Sequence, residues 1–310
     1  MKKINKITSA TLAALAISLS ACSESDKTAE KTEATPATPV AKATAATAAA
    51  AKTTPAKTAT ATPAPAGSPE AIYNSALEYL KQEDKDLSKA FSEIKKSADL
   101  GYAKAQANLA LFYAVGIGTE KNLDEAFKLY QAAANQDNAT AQRYLGAYYA
   151  AGIGVEKNPV EAVKWTVKAA NQGDAKALYN LSVFLDKGIG TEKDEAKALS
   201  LLAKAATLGD PDAQLDLGVR FIAGAGVEKN PVESFKWIKK SAEQGNIQAI
   251  FNLGVYYDRA IGVEKNNKIA LNCFNIAAKN GHKQAKEILG ALVEKIKAEQ
   301  AAKETKEATK

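Results

Sequence analysis

A heptapeptide, Gly-Ile-Gly-Thr-Glu-Lys-Asn at Gly116 to Asn122, returns in near-copies that begin at Gly152, Gly188, Gly224 and Ala260, each 36 residues after the last. A spacing held without slippage through five copies restricts the chain to a repeat array, in which one supersecondary unit stacks on the next. The loop lacks the Lys-Ser or Lys-Thr ending of a P-loop and the strand that precedes a dinucleotide fingerprint, so phosphate binding is set aside. Glycines recurring in register suit helix ends instead, where a residue of positive φ terminates the turn.

Aligned on this loop, five complete units run 102–137, 138–173, 174–209, 210–245 and 246–281. In the segment before the loop, Ala105, Leu109 and Tyr113 correspond to Ala141, Leu145 and Tyr149, and finally to Ala249, Leu253 and Tyr257. Spacing by four puts them on one face of a helix. Small residues recur beside that stripe at Ala110, Gly146, Ser182, Gly218 and Gly254. Glycine inside a helix costs about 1 kcal/mol against alanine, which predicts close approach of a partner helix. After the loop, Asn158-Pro159 and Asn230-Pro231 supply an N-cap and a first-turn proline for a second helix, with Asn122, Asp194 and Asn266 at the matching position. The second helix alternates Ala126, Ala162, Ala198 and Ala270 with Leu129, Trp165, Leu201, Trp237 and Cys273. Large and small residues alternating at helical spacing let stacked helix pairs interlock.

The pattern Ala-x-x-x-Leu-Gly-x-x-Tyr-x-x-Gly-x-Gly-Val, followed by Ala-x-x-Trp and Ala-Ala-x-x-Gly, resembles the Sel-one-like (SLR) repeat, a relative of the tetratricopeptide repeat. Unit 138–173 matches it almost throughout. The resemblance implies an all-α superhelix, a solenoid of helix pairs used for protein binding, over residues 68–290. Residues 68–101 form a shorter opening cap in which Gln82-Glu83-Asp84-Lys85 replaces the glycine loop. Residues 282–310 begin as a closing helix and end in a Lys/Glu/Ala tail, the atypical terminal units expected of a solenoid.

The other end reads as an address. A basic start (Lys2, Lys3, Lys6), an apolar run from Ile7 to Leu19 and the quartet Leu19-Ser20-Ala21-Cys22 form a signal peptide over residues 1–21. The quartet resembles the lipobox of bacterial lipoproteins, which implies a lipid on Cys22 and a membrane anchor, with Ser23 favouring the outer membrane of a Gram-negative envelope. Residues 22–67 are mostly Ala, Thr, Pro and Lys with no recurring apolar stripe, the composition of a disordered tether. Cys22 and Cys273 are the only cysteines, so a lipid on Cys22 leaves no intramolecular disulfide.

The net charge of +6 lies outside the repeats: residues 68–281 hold 26 Lys plus Arg and 26 Asp plus Glu. A nucleic-acid partner is therefore not expected, since such a domain concentrates basic charge on its folded face. The chain has one histidine, His282, and no Cys cluster, so no metal site or cofactor is expected. Glu156, Glu192, Glu228 and Glu264 repeat at one loop position, as structural residues do, and no acid–base pair breaks the symmetry. No catalytic residue is assigned.

Function then falls to a surface. With Ala105, Leu109 and Phe112 buried, positions 104, 107, 111 and 115 fall opposite at 100° per residue. Down the array, position 107 becomes Arg143, Tyr179, Leu215 and Phe251, and the flanking position becomes Tyr144, Asn180, Asp216 and Asn252. These eight residues are the candidate partner-binding set, with Tyr144, Tyr179 and Phe251 as aromatic anchors and Arg143 as a charged one. Either they line the concave groove, or the neighbouring repeat covers them and they are core. The reading is a non-enzymatic scaffold of the bacterial envelope that binds a protein or peptide in that groove. Two alternatives stand beside it: a peptidoglycan- or polysaccharide-binding envelope protein, and a β-lactamase-like enzyme, as the resemblance implies for cysteine-rich relatives whose cysteine pairs this chain lacks.

Overall fold

The structure, a computed structural model, describes residues 64–80, 87–291 and 294. Residues 1–63, on which the signal-peptide, Cys22 and tether expectations fall, residues 81–86 and most of the tail lie outside the described residues. Every regular element among those described is a helix. The first helices of successive units, here called A helices, are α1 (Pro69–Leu80), α3 (Ala103–Val115), α5 (Ala139–Ala151), α7 (Ala175–Lys187), α9 (Pro211–Ala223) and α11 (Ile247–Arg259). The B helices that follow them are α2 (Leu87–Asp99), α4 (Leu123–Ala134), α6 (Pro159–Asn171), α8 (Glu195–Thr207), α10 (Pro231–Glu243) and α12 (Asn267–Lys279). Residues 283–291 begin a last A helix, α13. Each of the six A helices packs on its own B helix and, after α1, on the B helix before it, which makes an all-α solenoid.

The helix ends follow from the side chains at them. Asn122, Asn158, Asp194, Asn230 and Asn266 each accept a hydrogen bond from the backbone N–H three residues on, which starts α4, α6, α8, α10 and α12. Asn138, Asp174, Asp210 and Asn246 do the same for α5, α7, α9 and α11. Each such cap contributes about 1 kcal/mol. The A helices stop at a left-handed residue, glycine in four repeats and Ala260, with φ 56°, in the fifth.

The expected close approach of paired helices is present. A Cβ on Gly146 would lie 2.5 Å from Thr166 Oγ1, on Gly218 2.9 Å from Ile238 Cδ1, and on Gly254 2.8 Å from Phe274 Cε1. Alanines at 105, 126, 133, 141, 162, 169, 177 and 198 are buried along the same seams. Paired glutamines tie three of the units together: Gln172 Nε2 donates to Gln142 Oε1 at 2.8 Å, while Gln142 Nε2 donates to the Ala134 carbonyl of the preceding B helix. Gln136–Gln106 and Gln244–Gln214 repeat the pairing, and in the third repeat both places are leucine, Leu178 and Leu208.

The second glycine of each loop has a role beyond ending a helix. A Cβ on Gly190 would sit 2.2 Å from the Pro159 carbonyl oxygen, and on Gly262 2.1 Å from that of Pro231, so the loop lodges against the start of the preceding B helix. The fourth repeat departs: a Cβ on Gly226 would meet nothing nearer than Leu199 Cδ2 at 3.4 Å, and its loop carries Ala225 where the others carry isoleucine.

Candidate groove on the A helices

Neighbouring A helices α7 and α9 touch directly, and the face they share is here called the inner face. Polar side chains span several of the joints between units: Asn108 donates to Tyr73 Oη at 2.6 Å, Arg143 Nε to Asp174 Oδ2 at 3.1 Å, and His282 Nε2 lies 3.1 Å from Gln248 Oε1. The line that stays open runs through positions 104, 108, 111 and 115. Position 107 is buried at Ala107 and Phe251 and half-buried at Arg143, Tyr179 and Leu215.

Phe251 is buried, its ring 5.8 Å from Phe274 and stacked 4.2 Å from the His282 imidazole. Arg143 and Leu215 are half-buried in the seam. Tyr179 is half-buried with the Lys176 ammonium 4.8 Å from its ring centre. Burial first, then the Asp216, Asp212 and Asp210 carboxylates, push its phenol well above the ordinary tyrosine value. Tyr144 stacks on buried Tyr130 at 5.0 Å with the Arg143 guanidinium 4.4 Å from its ring centre. Asn180, Asp216 and Asn252 lie on the open line, beside Val183, Val219 and Val255 at the next helical turn. Val219 is 42% exposed.

One group escaped sequence reasoning. Position 112 reads Phe112, Tyr148, Phe184, Arg220 and Tyr256 down the array, so the fourth repeat replaces a buried aromatic with arginine. A charge cannot stay in an apolar core unpaired. The Arg220 side chain reaches the inner face, where Nη2 lies 3.2 Å from Asp186 Oδ2 and Nε 3.5 Å from Asp216 Oδ1. Lys176 pairs with Asp212 and, at 3.9 Å, with Asp210. Burial is the main cause that raises the Asp210 and Asp216 carboxyls, against the lowering pull of Lys176 and Arg220 respectively. Reading column 112 by itself would have exposed the substitution.

Among the described residues no three His, Cys, Asp or Glu side chains are placed to hold a metal ion. Cys273 is buried, and burial pushes its thiol up, as suits a packing residue. No described helix is long and apolar enough to cross a membrane.

Comparison with known proteins gives the array its family. A Sel1 repeat protein from Oxalobacter formigenes aligns at 32% identity and TM-score 0.66 over 73% of this chain and 66% of its own. The protein c5321, a protective antigen present in uropathogenic Escherichia coli strains displaying an SLR fold, aligns at 31% identity and TM-score 0.58 over 72% of this chain and 48% of its own. The chain thus spans less than two thirds of either relative. No curated protein matches it. The Sel1 repeat family model matches six consecutive segments, 69–102, 103–138, 139–174, 175–210, 211–246 and 247–282, and with the helix pairs above this shows that the chain belongs to the Sel1 repeat family.

Proposed function

We propose that the chain is a non-enzymatic scaffold of the bacterial cell envelope, lipid-anchored at Cys22, that binds a protein or peptide segment along the inner face of its A helices. Sel1 repeat proteins generally act as protein–protein interaction scaffolds. The observation that carries the reading is the open line on α7, α9 and α11. There the polar row Asn180, Asp216 and Asn252 runs beside the valine row Val183, Val219 and Val255, on helices held rigid by their neighbours. An extended segment laid across such a surface finds backbone-bonding groups and apolar contacts already in place, which spares the ordering cost of binding. Anchoring through Cys22 rests on the Leu-Ser-Ala-Cys quartet and on the Ala/Thr/Pro-rich residues after it, which give reach from a membrane.

The test is in-cell photocrosslinking from position 180, with position 160 on the exposed flank of α6 as control. A heterologous protein captured at 180 alone is the expected result. Capture of glycan, or no capture, refutes the reading. Cys22→Ala should move the protein out of the membrane fraction, and unchanged fractionation would refute the anchor.

A further inference from the structure

The repeat that breaks the array's symmetry does so on the inner face. In the fourth repeat Arg220 stands where the others bury an aromatic and the loop contact at Gly226 is open, and Arg220 brings a charged group to the groove wall. Four carboxylates, Asp186, Asp210, Asp212 and Asp216, surround two cations, Lys176 and Arg220. The Asp210 side chain is 6% exposed, those of Arg220 and Lys176 are 19% and 26%, and those of Asp186, Asp216 and Asp212 are 31%, 32% and 38%, so the last three are the most exposed members of the cluster. Lys187, exposed at the end of α7, is the further cation at the rim. Asp212 Oδ2 pairs with Lys176 and its Oδ1 accepts from Asn246 Nδ2 at 2.8 Å, and the cluster's four carboxylates outnumber its two half-buried cations. Immediately beside them stand Tyr179, Asn180 and the exposed valine Val219. Carboxylates next to an aromatic ring and an apolar ledge complement a long aliphatic stem that ends in a cation.

We infer that the occupant of the groove is an extended peptide segment carrying a lysine or arginine between small apolar residues, its cation received by Asp212 and Asp216 next to Tyr179 and its flanking residues resting on Val183, Val219 and Val255. This rests on the groove reading above. It adds the chemistry by which that groove selects.

The test pans a random peptide library displayed on phage against the purified full chain in detergent, and in parallel against Val219→Trp, which fills the groove from an already exposed position. Selected peptides should share one basic position. Changing that residue to methionine in a synthetic peptide should weaken binding about 10- to 100-fold, the usual effect of losing a hydrogen bond to a charged group. Asp212→Asn/Asp216→Asn should lose the same factor. The peptide-side change leaves the protein untouched, so the result stands even if the double variant folds poorly. Peptides that Val219→Trp rejects but that share no basic residue would overturn the inference and leave the groove standing. Peptides that bind Val219→Trp as well as the parent would overturn both.

Discussion

Gly190 and Gly226 hold the same place in consecutive loops with nearly the same backbone, φ 67° and 73°, yet only Gly190 rests on a neighbour's backbone. Alanine at either position adopts a left-handed conformation at a cost of about 1–2 kcal/mol. At Gly226 that is the whole cost, because the new Cβ meets only Leu199 Cδ2 at 3.4 Å. At Gly190 the Cβ would lie 2.2 Å from the Pro159 oxygen and 2.4 Å from its carbonyl carbon, atoms of a helix start that cannot swing aside as a side chain would. The loop must lift by about 1 Å, an overpacking strain of about 1–3 kcal/mol. Gly190→Ala should therefore be the more destabilising of the pair by about 1–3 kcal/mol, measured as the shift in urea midpoint by far-ultraviolet circular dichroism. Hydrogen exchange should also report faster opening of α6, the helix on which the loop rests. Equal midpoints for the two variants would refute the claim that the loop is a contact between repeats.

Further outcomes follow from the same contacts. Tyr148 and Tyr130 bury hydroxyls that have no protein partner, while Tyr256, equivalent to Tyr148, has Ser234 at 2.5 Å; Ala126 occupies the serine's place beneath Tyr148. Ala126→Ser should thus gain up to about 1 kcal/mol, and Ser234→Ala should lose about 1–3 kcal/mol, in urea unfolding. Gln142→Leu should cost about 1–3 kcal/mol by stranding Gln172 and the Ala134 carbonyl, and adding Gln172→Leu should recover part of it, since Leu178 and Leu208 fill both places in the third repeat. Phe251→Ala should cost about 3–5 kcal/mol as a core truncation, whereas Asn180→Ala should stay within about 0.5 kcal/mol while weakening partner capture. Burial pushes the Tyr148 phenol up to about 12 and raises Tyr130 well above the ordinary 10. These neutral phenols contribute fully below pH 10, where the unfolded chain also keeps its protons. Stability should fall between about pH 10 and 12 as the unfolded state ionises first, and phenolate absorbance should rise together with unfolding.

Much of the architecture is legible in the residues because it depends on local chemistry. Asn122, Asn158, Asp194, Asn230 and Asn266 mark the B-helix starts, and Gly146, Gly218 and Gly254 announce the tight A–B seam before any coordinate is known. What a helical wheel does not give is the rotation from one unit to the next, and that rotation decides which flank of an A helix stays open. Position 107 and position 108 are 100° apart on the wheel. The neighbouring repeat buries Phe251 of the first under His282, whereas Tyr179 and Leu215 of the first and Asn180 and Asp216 of the second are alike half-buried. Arg220 was visible as a letter out of place, but its meeting with Asp186, which lies 34 residues earlier, belongs to the stacking.

The seating of each loop on the preceding B helix gives the array a direction of assembly. The first loop already rests on the opening cap, where a Cβ on Gly118 would lie 2.2 Å from the Leu87 oxygen. Except at the fourth repeat, a unit arriving in chain order finds its seat built, while removal of the first unit leaves the next loop unsupported and trimming from the far end unseats nothing. Growth by repeat duplication is therefore tolerant at the C-terminal side and constrained at the N-terminal side. The fourth repeat, whose loop stands free of that seat, is joined to the third through its A helix instead, by Arg220 on Asp186 and Lys176 on Asp212.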